Sequence, residues 1–71
     1  MKSYLVIFEK TKTGFSAFVP DLPGCIATGK TRLIAEKNIY QAIQMHLEAL
    51  KSDKQTIPPA NTEALTFCFS I

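Results

Sequence analysis

Residues 24–31, GCIATGKT, fit the spacing of a nucleotide-binding phosphate loop: Gly24, four residues, then Gly29, Lys30 and Thr31. Such a loop leaves a buried parallel strand, wraps phosphates in backbone N–H groups and sets a Lys on the outer phosphates. The surrounding residues do not supply that setting. The preceding segment, FVPDLP, carries Pro20 and Pro23 and cannot be a central strand. Between the glycines, Cys25 to Thr28 are β-prone where small, flexible residues are preferred. No apolar strand ending in Asp follows to hold Mg²⁺ through water. The expectation is a turn, a short strand and a helix cap, with no cofactor.

The other chemically capable residues are scattered. His46 falls on the apolar stripe of a helix, without a Ser, Cys or Asp spaced to work with it, and reads as a partly buried, hydrogen-bonded histidine. Asp21 sits in a Pro-Asp-Leu-Pro-Gly turn, where an Asx-type bond to nearby backbone N–H groups is its expected role. Cys25 has neither a helix N-terminus nor an adjacent base to make its thiol reactive. Two-metal nuclease chemistry needs clustered carboxylates. Only Glu9, Asp21 and Glu63 lie in or beside strands. Cys25, Cys68 and His46 do not form a zinc spacing. No enzyme is expected.

The elements that position these residues follow from periodicity. Residues 3–9, SYLVIFE, read as a strand with Tyr4, Val6 and Phe8 on one face and Leu5 and Ile7 on the other. Lys10 to Gly14 form a hairpin turn. Residues 15–19 make a second strand, ended by Pro20. In Asp21-Leu22-Pro23-Gly24, Pro sets φ for a central turn position and Gly takes φ > 0 in the next. Cys25 to Thr28 make a short third strand, and Thr31 caps a helix over residues 32–51. Ala35, Ile39, Ala42, Ile43, His46, Leu47 and Leu50 share its apolar stripe, opposite Lys37, Gln41, Gln44 and Glu48. After a loop blocked by Pro58 and Pro59, LTFCFSI alternates strictly, with Leu65, Phe67, Phe69 and Ile71 inward.

The predicted fold is α+β, in the order β-β-β-α-β. A small mixed sheet of order 3-2-1-4 carries one helix on one face, the helix crossing right-handedly so that the last strand lies parallel to the first. The other face, with Leu5, Ile7 and Phe18, must meet solvent or another chain. Lys30 and Arg32, which oppose the helix dipole, are candidate surface charges for a partner. A chain of 71 residues is expected to form one domain with a thin core, and a homodimer or higher homo-oligomer would supplement it. A net charge of +2, with Lys and Arg dispersed, gives no electrostatic footprint for nucleic acid. Neither a secretory h-region nor a run of ~18 apolar residues occurs, so a cytoplasmic location with reduced cysteines is expected.

The hexapeptide Pro20-Asp21-Leu22-Pro23-Gly24-Cys25 is specific. It follows Gly14-Phe15-Ser16-Ala17 and precedes Gly29-Lys30-Thr31, Asn38-Ile39-Tyr40-Gln41-Ala42-Ile43 and Ile57-Pro58-Pro59. Together, from about residue 4 to about residue 69, these resemble the HicB-like antitoxin family. The resemblance implies a truncated ribonuclease H-like fold, which agrees with the order read from periodicity. It also implies an antitoxin that binds and covers a small HicA-type mRNA interferase, and that oligomerises. The chain departs from the family pattern at Lys30, where an acidic or small residue is common. Ile34 replaces the Glu that would complete a capping box, which weakens the cap by a fraction of about 1 kcal/mol. Many members continue into an operator-binding domain. This chain reaches Ile71 straight after the last strand, so operator binding is not carried over. The alternative is a stand-alone homo-oligomeric binding or scaffold protein, and the product of the adjacent gene separates the two.

Overall fold

In the computed structural model, which describes residues 1–71, regular structure forms in β1 (Ile7–Lys10), β2 (Phe15–Phe18), β3 (Ile26–Gly29) and α1 (Arg32–Ser52). The strands make an antiparallel sheet of order β1-β2-β3. The α+β class and the meander therefore stand as expected, with the helix within a residue of its predicted span. The fourth strand does not form: residues 62–71 belong to no strand or helix, and β1 is left as an edge.

Register shows which side chains share a face. Phe8 lies opposite Ala17, and Ala17 opposite Ala27. All three belong to the core under α1, with Tyr4, Val6, Val19, Leu22, Cys25 and Ile39. Ile7 lies opposite Phe18, and Phe18 opposite Ile26, so these three share the face away from the helix. β1 starts at Ile7 rather than Ser3 because β2 ends at Phe18. The residues that would pair with positions 4–6 are already turning at Pro20.

Two close backbone approaches bind the elements. A side chain at Gly14 would strike the Gly29 carbonyl and come within 2.8 Å of the Lys30 Cα, so the hairpin turn lies directly on the end of β3. A β-carbon at Gly29 would strike the Ala35 amide and lie 2.9 Å from the Ala35 Cα. Glycine thus lets the first turn of α1 sit on β3.

Thr31 caps the helix as expected: its hydroxyl oxygen accepts from the Ile34 N–H at 3.1 Å, which contributes about 1 kcal/mol. At the other end, Lys54 N–H donates to Lys51 and Gln55 N–H to Leu50, a Schellman closure with Lys54 at φ 54. Asn38 on α1 donates to the Thr28 carbonyl at 2.8 Å, fastening the helix to the outer edge of β3.

Candidate functional site

The phosphate-loop letters take on other tasks. Cys25 N–H bonds the Leu22 carbonyl at 3.0 Å across Pro23 and Gly24, and Gly24 has φ 82. This is a type II turn with Pro and Gly in the positions that its geometry demands. A second turn precedes it, with Leu22 N–H on the Val19 carbonyl at 3.1 Å, and Val19 N–H bonds Cys25 at 3.2 Å. Residues 26–29 then pair with β2. Residues 26–29 are thereby held in an extended strand and not in a loop curled around phosphate.

The double turn drives two side chains inward. Leu22 is fully buried and Cys25 nearly so. Burial pushes the Cys25 thiol pKa up, which agrees with an inert, packed cysteine. Cys68 is exposed.

Asp21 points outward and has a role that the sequence did not reveal. Its carboxylate accepts from the Asn61 N–H at 2.9 Å, the Thr62 N–H at 3.0 Å and the Thr62 hydroxyl at 2.7 Å. The bonds expected within its own turn are replaced by bonds to residues some 40 positions away. Beside this clasp, the Tyr4 hydroxyl donates to the Pro58 carbonyl. The turn and the N-terminal segment together hold the start of the C-terminal arm. The bonds from the Thr62 hydroxyl and then the Thr62 N–H hold the Asp21 carboxyl below its usual pKa; desolvation opposes them less strongly, and the Asn61 N–H adds the least.

A group whose pKa is depressed by folding stabilises above its unfolded value, about 3.9 for Asp, and that contribution is lost as pH falls through the folded value. The Asn61 and Thr62 amide shifts should therefore titrate together with a midpoint below pH ~3.9. Asp21→Asn should abolish that titration and raise amide exchange at both residues at neutral pH. NMR titration of the two proteins checks it. Unchanged exchange in the variant would show that the clasp does not hold the arm.

Other candidate residues are placed as follows. Leu5, Ile7 and Phe18 are half-buried. Ile7 and Phe18 lie on the bare sheet face, Leu5 follows the same alternation, and Ile26 joins them at 62% exposure. The sequence places Ile26 in the short third strand but not on a face; pairing with Phe18 puts it on this one. An apolar cleft of about 400 Å³ lies at this end of the sheet, between Phe18, Ile26, Pro20 and Pro23.

Lys30 and Arg32 lie at the opposite end of β3. Lys30 borders a polar cleft of about 310 Å³ with Thr11, Thr13 and Thr28. The Arg32 guanidinium sits 3.6 Å above the Phe8 ring and bonds Glu36 at 2.6 Å. The exposed ion pair contributes roughly 0.3–0.5 kcal/mol and the ring contact about as much again or more. Arg32 is thereby tied into the fold. His46 is half-buried on α1, and the side-chain hydrogen bonds of the chain all run elsewhere. The hydrogen bond expected of it is absent. No three His, Cys, Asp or Glu side chains converge in a metal-binding group.

Fold and site thus define a small α+β protein built on a buried turn that doubles as a clasp, with an apolar sheet face left bare. The family model of the HicB-like antitoxin of bacterial toxin–antitoxin systems matches residues 4–67, and the chain belongs to that family. A UPF0150 protein of Thermoplasma acidophilum is 42% identical over 64 residues, which cover 89% of this chain and 93% of that one. An uncharacterized 14.9 kDa protein of Haemophilus phage HP1 is 36% identical over 58 residues, 82% of this chain but 44% of the phage protein. Among solved structures, a chain of the HicA3 and HicB3 toxin–antitoxin complex superposes with a TM-score of 0.69 at 33% identity. The match covers 82% of this chain and 70% of that one. No helix of the protein is long and apolar enough to cross a membrane.

Proposed function

We propose that the protein is an antitoxin that binds a small HicA-type mRNA interferase and occludes it, using the bare sheet face of Leu5, Ile7, Phe18 and Ile26. The observation that carries this reading is the likeness to a chain of a toxin–antitoxin complex, joined to an apolar face that α1 leaves uncovered. Large exposed apolar patches on small domains mark interfaces. In this reading the antitoxin performs no chemistry. It acts in the cytoplasm through a HicB-like domain with a truncated ribonuclease H-like fold. Lys30, at the far end of β3, would contribute at the rim, while Arg32 serves the fold.

Co-expression with the adjacent gene's product tests the reading. The neighbour should be a short basic protein that arrests growth. The antitoxin should rescue growth and co-purify with it. Ile7→Asp with Phe18→Asp should weaken the complex at least about 30-fold, as loss of central contacts does, while circular dichroism stays native. No co-purification and no rescue would remove the toxin reading. It would leave the alternative, a stand-alone homo-oligomeric binding protein, which the unpaired apolar C-terminal arm favours.

A further inference from the structure

Basic residues are dispersed along the sequence, but the fold gathers four of them at one end. Lys10 and Lys12 alternate with Thr11 and Thr13 at the hairpin turn, and Thr28 to Lys30 lead out of β3. Pairing sets Lys10 beside Phe15 and Phe15 beside Gly29, so the two segments meet in one row across the sheet. The close approach at Gly14 fixes them together, since a β-carbon there would lie 2.8 Å from the Lys30 Cα. Around this junction stand Lys10, Lys12, Lys30 and Arg32 against Glu9 and Glu36. The other four lysines are matched by four acids elsewhere in the chain, so the whole net charge of +2 belongs to this end.

The junction is also hollow. Thr11, Thr13, Thr28 and Lys30 border the cleft of about 310 Å³, at the low end of the ~300–1,000 Å³ usual for ligand sites, which leaves room for one small group. The three threonine hydroxyls make no hydrogen bond within the chain, and Lys30 forms no ion pair. Arg32 is already engaged with Glu36 and the Phe8 ring. No carboxylate borders the cleft. Its free groups are therefore an ammonium and hydroxyls, which can meet a tetrahedral anion from several directions. The flat guanidinium fork that suits a carboxylate is withheld.

We propose that this cleft binds a phosphate group, either free or as one phosphodiester of a nucleic acid strand passing the end of the sheet. The Lys30 ammonium supplies the charge, the Thr11, Thr13 and Thr28 hydroxyls donate to the phosphate oxygens, and Lys10 and Lys12 flank the site. Its donors are side chains of two segments, unlike a phosphate loop, in which backbone N–H groups wrap the anion. The cleft lies at the other end of β3 from Ile26 and does not rest on the toxin reading.

Amide spectra of the full chain, titrated at low salt and fixed pH with sodium phosphate and separately with a short oligouridylate, test the site. Sodium chloride of matched ionic strength is the reference. Thr11, Thr13, Thr28 and Lys30 should shift saturably in one or both titrations. Lys30→Gln should weaken binding at least about tenfold, as loss of a charged hydrogen bond does. Its circular dichroism should be unchanged, because Lys30 is exposed. Lys2→Gln with Lys51→Gln, away from the junction, should leave binding as in wild type. If a strand is the source, the oligouridylate binds more tightly than phosphate. Its log K then falls with log salt at a slope of about −2, roughly 0.7 for each of three lysines, and Lys30→Gln removes about 0.7 of that slope. If the oligouridylate binds no more tightly than phosphate, the source is a free phosphate. Shifts no larger than those with chloride overturn the proposal. So does binding that Lys30→Gln leaves intact, or that Lys2→Gln with Lys51→Gln weakens equally.

Discussion

Gly29→Ala is expected to lower stability by about 3 kcal/mol or more, the upper range for forced overpacking, because its β-carbon meets the backbone of Ala35 rather than a side chain that could move. The first turn of α1 would have to lift from β3, loosening the Thr31 cap and the Asn38–Thr28 bond together. For a domain of this size that is roughly 12–24 °C in Tm, measured by thermal unfolding at fixed protein concentration. Gly24→Ala provides the contrast. Nothing lies within 4 Å of its β-carbon position, so only the strain of φ 82 remains, about 1–2 kcal/mol. Were residues 24–31 a ligand loop, both glycine variants would fold and lose binding. The structure assigns the larger effect to Gly29 and places it on stability.

Leu22→Ala should cost about 3–4 kcal/mol, within the range for fully buried leucines. Leu22 is the central side chain of Pro20 to Cys25, is 0% exposed and packs in the cluster with Val19, Cys25 and Ile39. Alanine preserves both turns, so the loss comes from the cavity and the missing apolar contacts. Urea unfolding should show a lower midpoint with an unchanged slope. Once corrected for the folded fraction, partner binding should be near wild type. Binding lost without a stability change would make Leu22 a contact residue instead. The hexapeptide that marks the family is thus mainly a device for folding: Pro23 and Gly24 shape the turn, Leu22 and Cys25 seal the core, and Asp21 clasps the arm.

Local chemistry determined much of this protein. The hairpin, the Pro-Gly turn, the Thr31 cap and the α1 stripe each depend on residues within a few positions of one another. Turn geometry, capping and the 3.6 period act at that range, so these elements and the Leu5, Ile7 and Phe18 face were legible from the residues. What the tertiary structure decided depends on separations of about 40 residues or more. The sequence suggests a self-contained Asx turn at Asp21, yet its acceptors meet Asn61 and Thr62, and the three donors these present outcompete a local bond. Alternation in LTFCFSI specifies a strand conformation but not its neighbour, because a period of two encodes which side chains are apolar and says nothing about whose edge supplies the ladder. Within one chain that ladder is absent. The Asp21 and Tyr4 bonds fix where the arm departs from the body.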